Sequence, residues 1–92
     1  MIRSFAHRGL EKLYYHGNIA GLPATHIKKL RRMLTVLDET QDIRQLQGLW
    51  RCHQLLQGNR YPQWSLTVSR NWRLTFELRD GDVYIVNYED YH

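Results

Sequence analysis

Ninety-two residues, 42% hydrophobic and 12% aromatic, suffice for one folding unit that buries roughly 60% of its unfolded-chain surface, and a second domain has no room. Cys52 is the sole cysteine, which excludes an internal disulfide or a thiolate metal cluster and points to a reducing compartment, the cytosol. No apolar run approaches the ~18 residues of a membrane span and the charged first residues lack a secretory signal; a formal charge of +4 and a pI near 9.5 suit an anionic partner.

The positive excess is uneven. Residues 1–46 carry eight basic and four acidic side chains, whereas residues 47–92 carry five of each. Along the chain, Ile2 to Phe5 reads as a short strand and Gly9 to His16 as a short helix closed by Gly17. The clearest helix runs from Pro23 to Leu37, with Ile27, Leu30, Leu34 and Leu37 on one face at spacings of three and four. Lys28, Lys29 and Arg32 point away from that stripe and Arg31 lies at its boundary, giving a basic outer surface.

From Trp50 the period changes to two. Trp50 to Leu55 reads as a strand; Trp64, Leu66 and Val68, then Trp72, Leu74, Phe76 and Leu78, alternate with polar residues as in half-buried antiparallel strands. Asp80-Gly81 marks a tight hairpin into Val83 to Tyr88, whose apolar Val83 to Val86 reads as a strand in the middle of a sheet. The expected class is α+β, with helices first and a twisted antiparallel sheet packed against them on one side.

His7, His16 and His26 show no metal-ligand spacing and read as surface residues, and no cofactor motif is present. Trp50, Trp64 and Trp72 fit core positions better than base-stacking ones. Arg73 falls on the polar face of its strand in phase with Asn71, a place from which a planar guanidinium reaches a phosphate.

Two separated motifs, Asn71-Trp72-Arg73-Leu74-Thr75-Phe76 and Asn87-Tyr88-Glu89-Asp90-Tyr91-His92, stand with Gly58-Asn59-Arg60 and Met1-Ile2-Arg3-Ser4-Phe5 in an order that resembles the HigB-type toxins of the RelE/ParE superfamily. The resemblance implies a small α+β fold, entry into the ribosomal decoding site and cleavage of the messenger RNA there, with no metal or other cofactor. It makes Asp90, His92 and His53 the proton-transferring set with Arg73 facing the phosphate, while Asn71 and Tyr91 position the nucleotide. His53 fits the family histidine only with one residue inserted before Gly58, and neutral Gln57 then stands where relatives carry a basic residue. The cluster Lys28, Lys29, Arg31 and Arg32 becomes a ribosomal RNA docking surface. The implied partners are the ribosome, messenger RNA and a HigA-like helix-turn-helix antitoxin, with operator DNA reached only through that antitoxin and no membrane. Three alternatives are a ParE-like inhibitor of DNA gyrase, a non-catalytic RNA-binding module and a plain structural subunit; none needs titratable groups in the Asp90-Tyr91-His92 ending.

Overall fold

The apolar stripe of the long helix and the alternating strands close on one another in the computed structural model, which describes residues 1–90. Helix α1 (Arg8–His16) begins at His7, whose ring accepts the Leu10 amide at 3.2 Å. It ends at Gly17, which takes φ 68° as a left-handed cap should. A single 3₁₀ turn over Ala24–His26 leads into α2 (Ile27–Glu39), which buries Leu30, Met33, Leu34 and Leu37. A short α3 (Ile43–Gln47) follows, fixed by an Asp42 and Gln45 capping box.

Strands β1 (Cys52–Gln54), β2 (Trp64–Thr67), β3 (Trp72–Arg79) and β4 (Asp82–Asp90) pair in sequence order, each antiparallel to the next. A 3₁₀ turn at Gly58–Arg60 lies between the first two. Leu66, Leu74, Phe76, Val83 and Val86 join the helical leucines in one buried cluster, and Trp50, Trp64 and Trp72 pack against it half-buried. The helices therefore cover one face of the sheet. Asp80 and Gly81 both take positive φ, at 50° and 81°, as a two-residue hairpin turn demands.

Contrary to the central place expected for Val83 to Val86, β4 is last in the ladder. Its outer edge is met by the N-terminal segment, which bridges in parallel at Ile2 with Val83 and at Phe5 with Val86 instead of forming a full strand. The reason lies in β4 itself. Residue pairing runs Arg79 with Asp82, Leu78 with Val83 and Glu77 with Tyr84, then resumes at Thr75 with Asn87, so Phe76 faces two residues, Ile85 and Val86. Ile85 is the extra residue of this β-bulge, at φ 49°, where a β-branched side chain is strained.

Ser4 holds the bulge in place. Its hydroxyl accepts the Ile85 amide at 2.8 Å and its carbonyl accepts the Val86 amide at 3.1 Å. Asp38 fastens the same segment to α2, accepting the Ile2 amide at 2.9 Å and the Tyr14 hydroxyl at 2.7 Å. Among the described residues, no helix is long and apolar enough to cross a membrane.

Ser4→Ala removes the Ile85 contact and leaves a strained amide unsatisfied. It is expected to lower the unfolding free energy by about 1–3 kcal/mol in urea titration. A change below about 0.5 kcal/mol, the scatter of ordinary surface substitutions, would mean that the bulge holds without Ser4.

Candidate active site

The bulge decides which side chains share a face. In an unbroken hairpin closed at Asp80-Gly81, Arg73 would pair with Tyr88 and Asn71 with Asp90; the extra residue shifts this by one, so Arg73 pairs with Glu89 and Trp72 with Asp90. Tyr88 turns instead into the core, stacked on Trp72 with ring centroids 4.6 Å apart.

On the face away from the helices, the register aligns His53, Ser65, Thr75 and Asn87 in one row across the four strands, with Thr67, Arg73 and Glu89 in the next. Arg73 and His53 thus share a face. Two inter-strand steps and a two-residue offset put their backbones about 12 Å apart, a gap their side chains narrow. Asp90 ends β4 exposed and out of phase with Arg73. Asn71 is exposed in the turn before β3, closed by the Ser69 amide to the Trp72 carbonyl at 3.1 Å, so it does not share the strand face as expected. Tyr91 and His92 lie outside the described residues.

What the structure gathers around Arg73 is a charge cluster that strand periodicity does not reveal. Glu89 Oε1 is 3.7 Å from Arg73 Nη2, and Glu89 Oε2 accepts Arg60 Nη2 at 2.7 Å and the Thr75 hydroxyl. Arg60 also donates Nε to Gln63 Oε1 at 3.1 Å. A hollow of about 240 Å³ lies over this cluster, lined by Arg60, Gln63, Thr75, Ile85, Asn87 and Glu89 together with Ala6. Burial pushes the Glu89 carboxyl up, but the Thr75 and Arg60 hydrogen bonds and the charges of Arg60 and Arg73 outweigh it and hold it below the ordinary carboxylate value. Glu89 is therefore ionised at neutral pH, an acceptor rather than a proton donor.

Two histidines expected at the surface are half-buried and partnered. His7 caps α1 and meets Tyr88 edge-on, and burial lowers its pKa. His26 hydrogen-bonds the Tyr88 hydroxyl through Nδ1. The Tyr88 pKa is pushed up to about 12 by burial. Cys52, its thiol pushed up to about 11 by burial, is a poor nucleophile. On α2, Lys28, Arg31 and Arg32 are exposed, with Arg32 over Trp50 at 5.6 Å from the ring centroid. Lys29 instead ties the helix to the sheet through the Val68 carbonyl.

A sheet covered by helices on one side, with a cationic cradle on the other, is the frame of a small RelE-like toxin. A family model for the RelE-like toxin of the type II toxin-antitoxin system HigB matches residues 3–92, and the chain belongs to that family. A relative from Proteus vulgaris named Endoribonuclease HigB is 42% identical over 93 residues, covering 100% of both chains.

The linkage of Glu89 has a definite sign. Its folded pKa lies below the ordinary 4.5, so the stability it contributes is complete above that value and is lost as pH falls through the folded pKa. Glu89→Gln should be less stable than wild type at pH 7, with the two converging in acid, read from urea unfolding at a series of pH values. A constant difference across the acid range would contradict this.

Proposed function

We propose that this toxin is a ribosome-dependent endoribonuclease that cleaves messenger RNA in the decoding site. The observation that carries the reading is Arg73, held half-buried by Glu89 on the same face as His53, beside a hollow open to a ligand. The full-length similarity to a protein named as an endoribonuclease supports it.

The chemistry is attack of a 2′-hydroxyl on the adjacent phosphorus. A base takes the hydroxyl proton, negative charge accumulates on the non-bridging oxygens of the phosphorane, and an acid protonates the departing 5′-oxygen. The products are a 2′,3′-cyclic phosphate and a 5′-hydroxyl. Proton transfer and a fixed cation suffice for this sequence, so the proposed enzyme is metal-independent. Arg73 supplies the cation, its planar fork matching two phosphate oxygens.

His53 and His92 are assigned the proton transfers as a coupled pair, with no fixed division between base and acid. Asp90, at the exposed end of β4 and one residue out of phase with Arg73, joins the set as the carboxylate nearest in sequence to His92. Asn71 and Tyr91 are assigned to placing the nucleotide. Lys28, Arg31 and Arg32, on the helical side of the sheet, dock on ribosomal RNA, and Lys29 keeps α2 in position for them. A HigA-like helix-turn-helix antitoxin completes the pair in the cytosol and carries it to operator DNA.

Single-turnover cleavage on programmed ribosomes tests the assignment. Arg73→Lys, which keeps a charge but loses the fork, should slow the saturated rate by roughly 10²-fold, and His53→Ala or His92→Ala by roughly 10²- to 10⁴-fold. Replacing Lys28, Arg31 and Arg32 by Glu should instead raise the toxin concentration needed for half-saturation and leave the saturated rate unchanged. Intact messages with the wild-type chain would overturn the nuclease reading. Rates within about threefold of wild type for Arg73→Lys and both histidine variants would remove these residues from the chemical step.

A further inference from the structure

One arginine beside the cradle has no part in the scheme above, yet it occupies the junction of two hollows. Arg60 lines the hollow over Glu89 and also a neighbouring one of about 410 Å³, shared with Gln54, Leu55, Gln57 and Arg73. Among the described residues, Arg60 and Arg73 are the cations of that second hollow, and Gln57 contributes none.

Among the described residues, the guanidinium of Arg60 is anchored on one edge, by Gln63 through Nε and by Glu89 through Nη2. Five N–H donors belong to an arginine, so these two bonds leave donors for a ligand. Its side chain is 37% exposed against 17% for Arg73, which makes it the more accessible of the two. Arg60 and Arg73 both approach the Glu89 carboxylate in a half-buried setting, where salt screens weakly. The donors that Arg60 keeps free suit the anionic non-bridging oxygens of a phosphodiester, to which a guanidinium donates charge-assisted hydrogen bonds.

We infer that Arg60 is a second substrate-contacting cation, donating to a non-bridging phosphate oxygen at or next to the scissile linkage, and that Glu89 is a positioning residue that sets the spacing of Arg60 and Arg73. The inference rests on the nuclease reading and names a further contact within the same site. An ion pair serving stability alone would be served by any geometry that neutralises Glu89. The arrangement here instead divides the carboxylate between two cations and leaves part of Arg60 exposed.

Two measurements test it. In the first, saturated single-turnover cleavage on programmed ribosomes is compared for wild type, Arg60→Gln, Arg60→Lys and Arg60→Gln with Gln57→Lys, and the unfolding of each variant is recorded. Arg60→Gln should cleave roughly 10²-fold more slowly, Arg60→Lys should recover part of the loss, and Gln57→Lys should restore about tenfold by returning a charge to the same hollow. In the second, the wild-type chain is titrated with an RNA trinucleotide carrying a 2′-deoxy sugar at the attacking position, while the arginine Nε–H resonances are followed. Arg60 and Arg73 should shift together.

An Arg60→Gln rate within about threefold of wild type, or a trinucleotide that moves Arg73 and leaves Arg60 unmoved, would overturn the inference. If Arg60→Gln fails to fold, the titration of the wild-type chain still decides. Joint shifts in a wild-type chain that cleaves no messenger would defeat the nuclease reading and leave Arg60 standing as a phosphate contact.

Discussion

The side chains that meet around Arg73 are set by one extra residue in β4. Side chains alternate between faces with a period of two, so a single insertion exchanges the faces of every residue beyond it. Without Ile85 in the bulge, Tyr88 would lie opposite Arg73; with it, Tyr88 stacks on Trp72 in the core and Glu89 takes its place. An apolar ring and a carboxylate are thus each delivered to the surroundings that suit them. The strain of a β-branched residue at φ 49° is offset by hydrogen bonds from the N-terminal segment, which are possible only because that segment runs beside β4.

Glu89 then acts as the electrostatic hinge of the helix-free face. It draws Arg60 from the turn after β1 and Arg73 from β3 toward one point, and Thr75 supplies a further hydrogen bond. Positive charge is thereby fixed in place before any ligand arrives, which is what stabilising a charged transition state requires. The helical side of the sheet carries a separate basic surface on α2. Basic residues thus stand on both faces of the sheet, and the proposed function assigns docking to one and chemistry to the other.

Much of this fold was legible in the residues. Leucines at spacings of three and four predict α2, alternating apolar residues predict β2 and β3, and Asp80-Gly81 predicts the hairpin. The five-residue α3 is too short for periodicity to reveal, although Asp42 followed by Gln45 is a capping signal in plain sight. Ile85 carries no glycine or polar signature of a left-handed residue, so the bulge was hidden, and with it the pairing of Glu89 and the phase of Asp90. Arg60 and Glu89 are 29 positions apart, and only the register brings them within a hydrogen bond. His7 and His26 looked solvated because no motif surrounds them, yet each is half-buried against Tyr88, a residue that the bulge turns inward.

The register of β3 against β4 is therefore the claim on which the site depends, and it is open to direct observation. Inter-strand nuclear Overhauser contacts in the labelled protein report which backbone protons of β4 lie across from Arg73. The account predicts contacts from Arg73 to Glu89 and from Thr75 to Asn87, with Ile85 and Val86 both facing Phe76. Contacts from Arg73 to Tyr88 and from Asn71 to Asp90, the pattern of an unbroken hairpin, would contradict it and would put Glu89 on the helical side of the sheet.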